Sequence, residues 1–125
     1  MSHGLELLRL VEPIAARHGT FRCEAYVFAL EALELAVSQR EEPGHVSGSD
    51  LLGRVRELGR QRYGVMAGDV FNAWGVRTTV DFGRIVFHLV DGGLLLKREE
   101  DSLAEFIDRF NFREAFALKA ASPGA

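Results

Sequence analysis

Residues 78–98 read TTVDFGRIVFHLVDGGLLLKR, and the order of signals in this stretch decides the expected fold. Thr78 with Asp81 three residues on has the form of a capping box, Asp standing where Glu or Gln is usual. Phe82, Ile85, Val86 and Leu89 recur at i, i+3, i+4 and i+7, the spacing of a helix that buries one stripe, while Asp81, Arg84, His88 and Asp91 fall largely outside it. Gly92-Gly93 stops that helix, and residues 94–98 continue as an apolar run that predicts a strand. A recognition-type helix leading into the first strand of a wing has this form.

Upstream, Ser47 with Asp50 predicts the start of a helix over 48–63 that buries Leu51, Leu52, Val55 and Leu58 and ends at Gly64. A short helix over 66–74 follows, carrying Val70, Phe71 and Trp74 and closed by Gly75. Before the break at 41–48, two helices are expected: 5–18, with Leu5, Leu8, Val11 and Ile14 on one face and Pro13 kinking it or splitting off its last turn, and 22–40, with Ala25, Phe28, Ala29, Ala32, Leu33, Ala36 and Val37 inward. Downstream, a return strand or irregular segment is expected within 104–110, and Asn111 opens a last helix that packs Phe112, Ala115 and Phe116.

The expected fold class is therefore mainly α (α+β) in one domain over 1–125: a helical hairpin at 5–41, a winged-helix-like three-helix unit with a short β-hairpin at 47–110, and a C-terminal helix at 111–119. A purely helical bundle is the competing architecture.

With 125 residues, 47% of them hydrophobic and 26% charged, the chain can bury a core without staples. The single Cys23 leaves no internal disulfide to form, which favours a reducing, cytoplasmic setting. No run approaches the ~20 apolar residues of a membrane helix, and the first residues lack a leader's pattern.

The net charge of −3 is unevenly spread. Residues 1–44 carry four Arg against seven Glu, residues 51–62 are basic through Arg54, Arg56, Arg60 and Arg62, and residues 97–108 are acidic. As a DNA reader, the 78–91 helix would present Thr79, Asp81, Arg84, His88 and Asp91. Two of these are acidic, and Glu99, Glu100 and Asp101 at the wing tip would meet phosphates with like charge. Nucleic acid is therefore the disfavoured partner, with Arg54, Arg56, Arg60 and Arg77 as the anion-binding alternative and a winged-helix transcriptional regulator as the matching function.

Enzyme chemistry finds little footing. His3, His18, His45 and His88 are scattered, Cys23 is isolated, and no zinc, P-loop or EF-hand spacing occurs, so neither a catalytic residue nor a metal or cofactor is assigned. The favoured reading is an adaptor or regulator that binds another protein, a regulatory or switch protein being the class in view and a homodimer a further option. The residues expected to carry the contact are Arg84, Phe87, His88, Asp91, Glu99, Glu100, Asp101 and Phe106.

His45-Val46-Ser47-Gly48, Trp74-Gly75, Asp81-Phe82-Gly83 with Ile85-Val86-Phe87, Gly93-Leu94-Leu95, and Asp101-Ser102 followed by Phe106 make a pattern that resembles an uncharacterised family of small bacterial proteins over roughly residues 20–116. The resemblance implies a cytoplasmic bacterial protein and supplies no activity, substrate or cofactor.

Overall fold

The computed structural model describes residues 3–39, 46–95 and 112–116. Helix α1 spans His3–His18 and α2 spans Cys23–Ser38. Leu5, Leu7, Leu8, Leu10, Val11 and Ile14 offer α1 more than one apolar face, and tertiary packing selects Leu7, Val11, Ile14 and Ala15. The expected Leu5 is 50% exposed and Leu8 is only partly covered, so the inward face is rotated from the predicted one. Nor does Pro13 detach the last turn, because Ile14 and Ala15 beyond it are buried in the core and offset the missing backbone hydrogen bond.

Helix α2 lies at the centre, packed on α1 and on two helices that follow. Ala25, Ala29, Ala32 and Ala36 on its buried sides let neighbouring backbones approach, while Tyr26, Phe28 and Leu30 fill the space between them. Of the predicted stripe, Leu33 is half-buried and Val37 is exposed.

Helix α3, Gly48–Tyr63, begins where the sequence predicts it to. The Asp50 amide donates to Ser47 Oγ at 3.0 Å, and the Ser47 amide donates back to the Asp50 carboxylate at 3.4 Å. All of Leu51, Leu52, Val55 and Leu58 are buried. A 3-10 turn at Gly64–Met66 leads into α4, Ala67–Ala73.

Helix α5, Thr79–Asp91, buries Phe82, Ile85 and Leu89. It ends in a Schellman motif: Gly93 sits at φ 82°, its amide bonds to Val90 O, and the Leu94 amide bonds to Leu89 O at 2.9 Å. Gly75 ends α4 in the same way at φ 93°, and a Cβ there would lie 2.9 Å from Thr20 O. The Arg22 amide donates to Trp74 O at 3.0 Å beside it, so the α1–α2 corner is locked onto the α4–α5 loop.

Helix α6, Phe112–Ala115, packs on α4 and brings Phe112 and Phe116 to the core, as the sequence predicts. Phe71 is the hub there: its ring centroid lies 5.2–5.6 Å from those of Phe28, Trp74, Phe82, Phe112 and Phe116.

The described residues are thus mainly helical, with no strand among them. The expected strand at 94–98 opens on Leu94 and Leu95, which form a bend, because the Schellman bond ties Leu94 back to the helix. The remainder of the expected hairpin, 96–110, lies outside the described residues, as do the capping Asn111 and residues 117–119 of the expected last helix. No described helix is long and apolar enough to cross a membrane.

Candidate functional site

The α5 sequence sorts its side chains between two opposite stripes. Phe82, Ile85 and Leu89 point into the core, and half a turn away Val80, Arg84, Phe87 and Asp91 share the outward stripe at i, i+4, i+7 and i+11. Val80 and Phe87 are half-buried, whereas Arg84 and Asp91 are exposed.

Both charges on this stripe are engaged within the chain. The Arg84 guanidinium donates to Asp81 Oδ1 at 2.6 Å, and Asp91 Oδ2 lies 3.5 Å from Arg17 Nη1 and 3.9 Å from His18 Nε2. Asp81 forms the capping box with Thr78 that the sequence predicts, and neither Asp81 nor Thr79 is presented outward as the DNA-reader alternative requires. Thr79 is fully buried, and the nearly buried Asp81 carboxylate accepts from the Arg77 amide at 2.8 Å and the Thr78 amide at 3.3 Å, so it closes the helix N-terminus.

His88 turns away from the outward stripe toward α1 and α2. Its ring stacks on His18 with centroids 3.6 Å apart and planes 3° from parallel. A 2.7 Å hydrogen bond joins its Nδ1 to the hydroxyl of Tyr26, a fully buried residue. Phe21 lies against the same ring at 5.9 Å. Burial, reinforced by the neighbouring His18, holds the His88 imidazole below the ordinary histidine range, with Asp91 opposing. Burial also pushes the Tyr26 hydroxyl up to about 12, and Cys23 adds to the effect. Beside this cluster, a hollow of about 210 Å³ opens between Pro13, Arg17 and His18 on α1 and Asp91 and Gly92.

No family model, curated protein or solved structure matches the chain.

The alternative anion-binding arginines do not form one patch. Arg54 donates to Gln39 Oε1 and lies 3.7 Å from Glu57, and Arg60 donates to the Ala115 carbonyl, bracing α6 on α3. Arg56, exposed on α3, does share a hollow of about 380 Å³ with Arg60, as their i, i+4 spacing implies, and Glu57 and Gln61 line it too. Arg77 is exposed on a separate element, just before α5. Arg62, the neighbouring cation, is held by Glu31 at 2.7 Å, which raises its proton affinity further.

Glu99, Glu100, Asp101 and Phe106 lie outside the described residues. Among the described residues, no group of three or more His, Cys, Asp or Glu side chains converges as a metal site would require. The pairing of His18 with His88 is the feature that sequence reasoning missed. Seventy positions separate the two rings, and neither belongs to a spacing motif.

Proposed function

We propose that this chain is a non-enzymatic interaction module, an adaptor or regulator that docks onto another protein through the outward stripe of α5. The observation that carries the reading is the half-buried pair Val80 and Phe87, set opposite the core stripe and flanked by Arg84 and Asp91. An aromatic anchor with charges of both signs at its rim suits a protein surface. A polyphosphate backbone asks for uncompensated cations. On this stripe Arg84 is matched by Asp81, and Arg54 and Arg60 already serve contacts inside the chain.

In this reading 47–110 is the winged-helix-like unit, and Glu99, Glu100, Asp101 and Phe106 belong to the same docking surface. The partner is a cytoplasmic regulatory or switch protein.

The test is affinity capture from the native lysate, with nuclease treatment in parallel, comparing the wild-type chain with Phe87→Glu and Phe87→Ala. Thermal melts establish that both variants are folded. The expected result is a nuclease-resistant protein captured by the wild type and lost with both variants. Recovery that depends on intact nucleic acid, together with duplex binding that weakens steeply with salt, would replace this reading with the winged-helix DNA-binding regulator. Retention by both variants would move the docking surface off α5.

A further inference from the structure

The contact between the C-terminal turns of α1 and α5 includes a pair of ionisable rings beside its aliphatic packing. Ile14 meets Gly92 so closely that a Cβ on Gly92 would fall 2.5 Å from Ile14 Cδ1. Just beyond, the His18 and His88 imidazoles lie face to face at 3.6 Å. We propose that this histidine stack is a protonation-controlled latch: with the His88 imidazole neutral it clamps the end of α1 to the end of α5, and with that ring charged it releases the α1–α2 corner while α3 stays folded.

The geometry supplies the reasons. Face-to-face rings at this separation tolerate two neutral imidazoles, or one neutral and one charged, but two cations repel at close quarters. The groups around the pair offer little to hold a proton on His88. From α1 comes Arg17, itself a cation. From α2 comes the Tyr26 hydroxyl, which occupies His88 Nδ1, with Cys23 beside it. From α5 comes Asp91, while Arg84, one turn earlier, is turned outward and paired with Asp81. Among the described residues Asp91 is the carboxylate facing the pair; it is half exposed and shared between Arg17 and His18.

The sign follows from linkage. His88 binds a proton less readily in the closed state than in an open one, so closure is favoured above the ordinary histidine range near ~6.5 and is lost as pH falls through it. What the latch frees is specific. The Gly19 amide bonded to Ala15 O and the Arg22 amide bonded to Trp74 O sit on either side of the corner, and Phe21 and Tyr26 beneath it pass from buried to exposed.

Amide hydrogen exchange of the full chain at pH 7.5 and 5.0, corrected for the chemical dependence of exchange on pH, tests this. A His3→Gln background removes a second titration of opposite sign, since Glu34 raises the proton affinity of His3. The latch predicts a loss of protection at Gly19, Arg22 and Gly92 at the lower pH, with the amides of Val55 and Leu58 in α3 unchanged. His18→Phe keeps a ring against His88 while removing the neighbouring imidazole, and His18→Gln serves if the larger ring is not accommodated; either should diminish the loss. Protection at the corner that is the same at both pH values would overturn the proposal. So would an undiminished loss in a folded His18 variant, or a loss shared equally by α3.

Discussion

Replacing Phe71 by Ala tests the core where it is most interconnected. The ring is fully buried and touches five other aromatic rings drawn from α2, the end of α4, α5, α6 and the residue just beyond α6. Removing a buried phenylalanine ring costs about 3–5 kcal/mol when the cavity cannot collapse. Collapse is resisted here because the surrounding rings are held by separate helices, so the upper half of that range, about 4–5 kcal/mol, is expected. At roughly 4 °C per kcal/mol for a chain of this size, the melting temperature should drop by about 16–20 °C. Urea titration followed by far-UV circular dichroism measures the loss directly. Trp74 fluorescence is a poorer primary probe, because its ring lies 5.6 Å from the substituted one. A double-mutant cycle with Phe116→Ala should return a coupling of about 1 kcal/mol for that ring pair. A loss below about 1.5 kcal/mol, or no coupling to Phe116, would refute the claim that α6 completes this core.

Asp81→Ala should cost about 1–2 kcal/mol, because two amides at the α5 N-terminus and the Arg84 guanidinium all lose their acceptor; urea unfolding checks it, with Arg84→Ala expected near neutral. Gly75→Ala should cost more than Gly19→Ala: both adopt positive φ, worth about 1–2 kcal/mol for a residue with a Cβ, but only Gly75 would press its Cβ on a backbone oxygen. Equal losses in thermal melts would contradict that comparison. Because the folded chain holds the Tyr26 proton up to about 12, stability present below pH 10 should fall as pH rises from about 10 toward 12. Tyr26→Phe should flatten that alkaline limb in pH-dependent urea titrations, at a cost of about 1 kcal/mol near neutrality for the lost hydrogen bond to His88.

Helices α3 and α5 were legible because their boundaries are written in local chemistry. Ser47 with Asp50, Thr78 with Asp81, and glycines at 64, 75 and 93 act within a few residues of themselves. Most of the inward stripe of α5 was legible too: Phe82, Ile85 and Leu89 are buried as their spacing implies, while Val86 is half-buried. The face of α1 was not, for Leu5 and Leu7 are equally apolar and only the neighbouring helices decide between them. Burial of Thr79 and Asp81 escaped prediction for a related reason: side chains in the first turn of a helix take their exposure from what packs over the helix end. Of the candidate site, Arg84, Phe87 and Asp91 lie on or near the outward side as their spacing implies, while His88 is drawn inward by Tyr26 and His18, partners from distant parts of the chain.

The seating of Phe112 and Phe116 on Phe71 also bears on when the protein acquires its final form during synthesis. Translation delivers residues at ~5–20 per second, N-terminus first. The rings of Phe28, Phe71 and Phe82 emerge from the ribosome before the two that cover them. Until residue 116 clears the exit tunnel, the nascent chain carries an unfinished aromatic surface, and that is the interval in which chaperones would find most to hold.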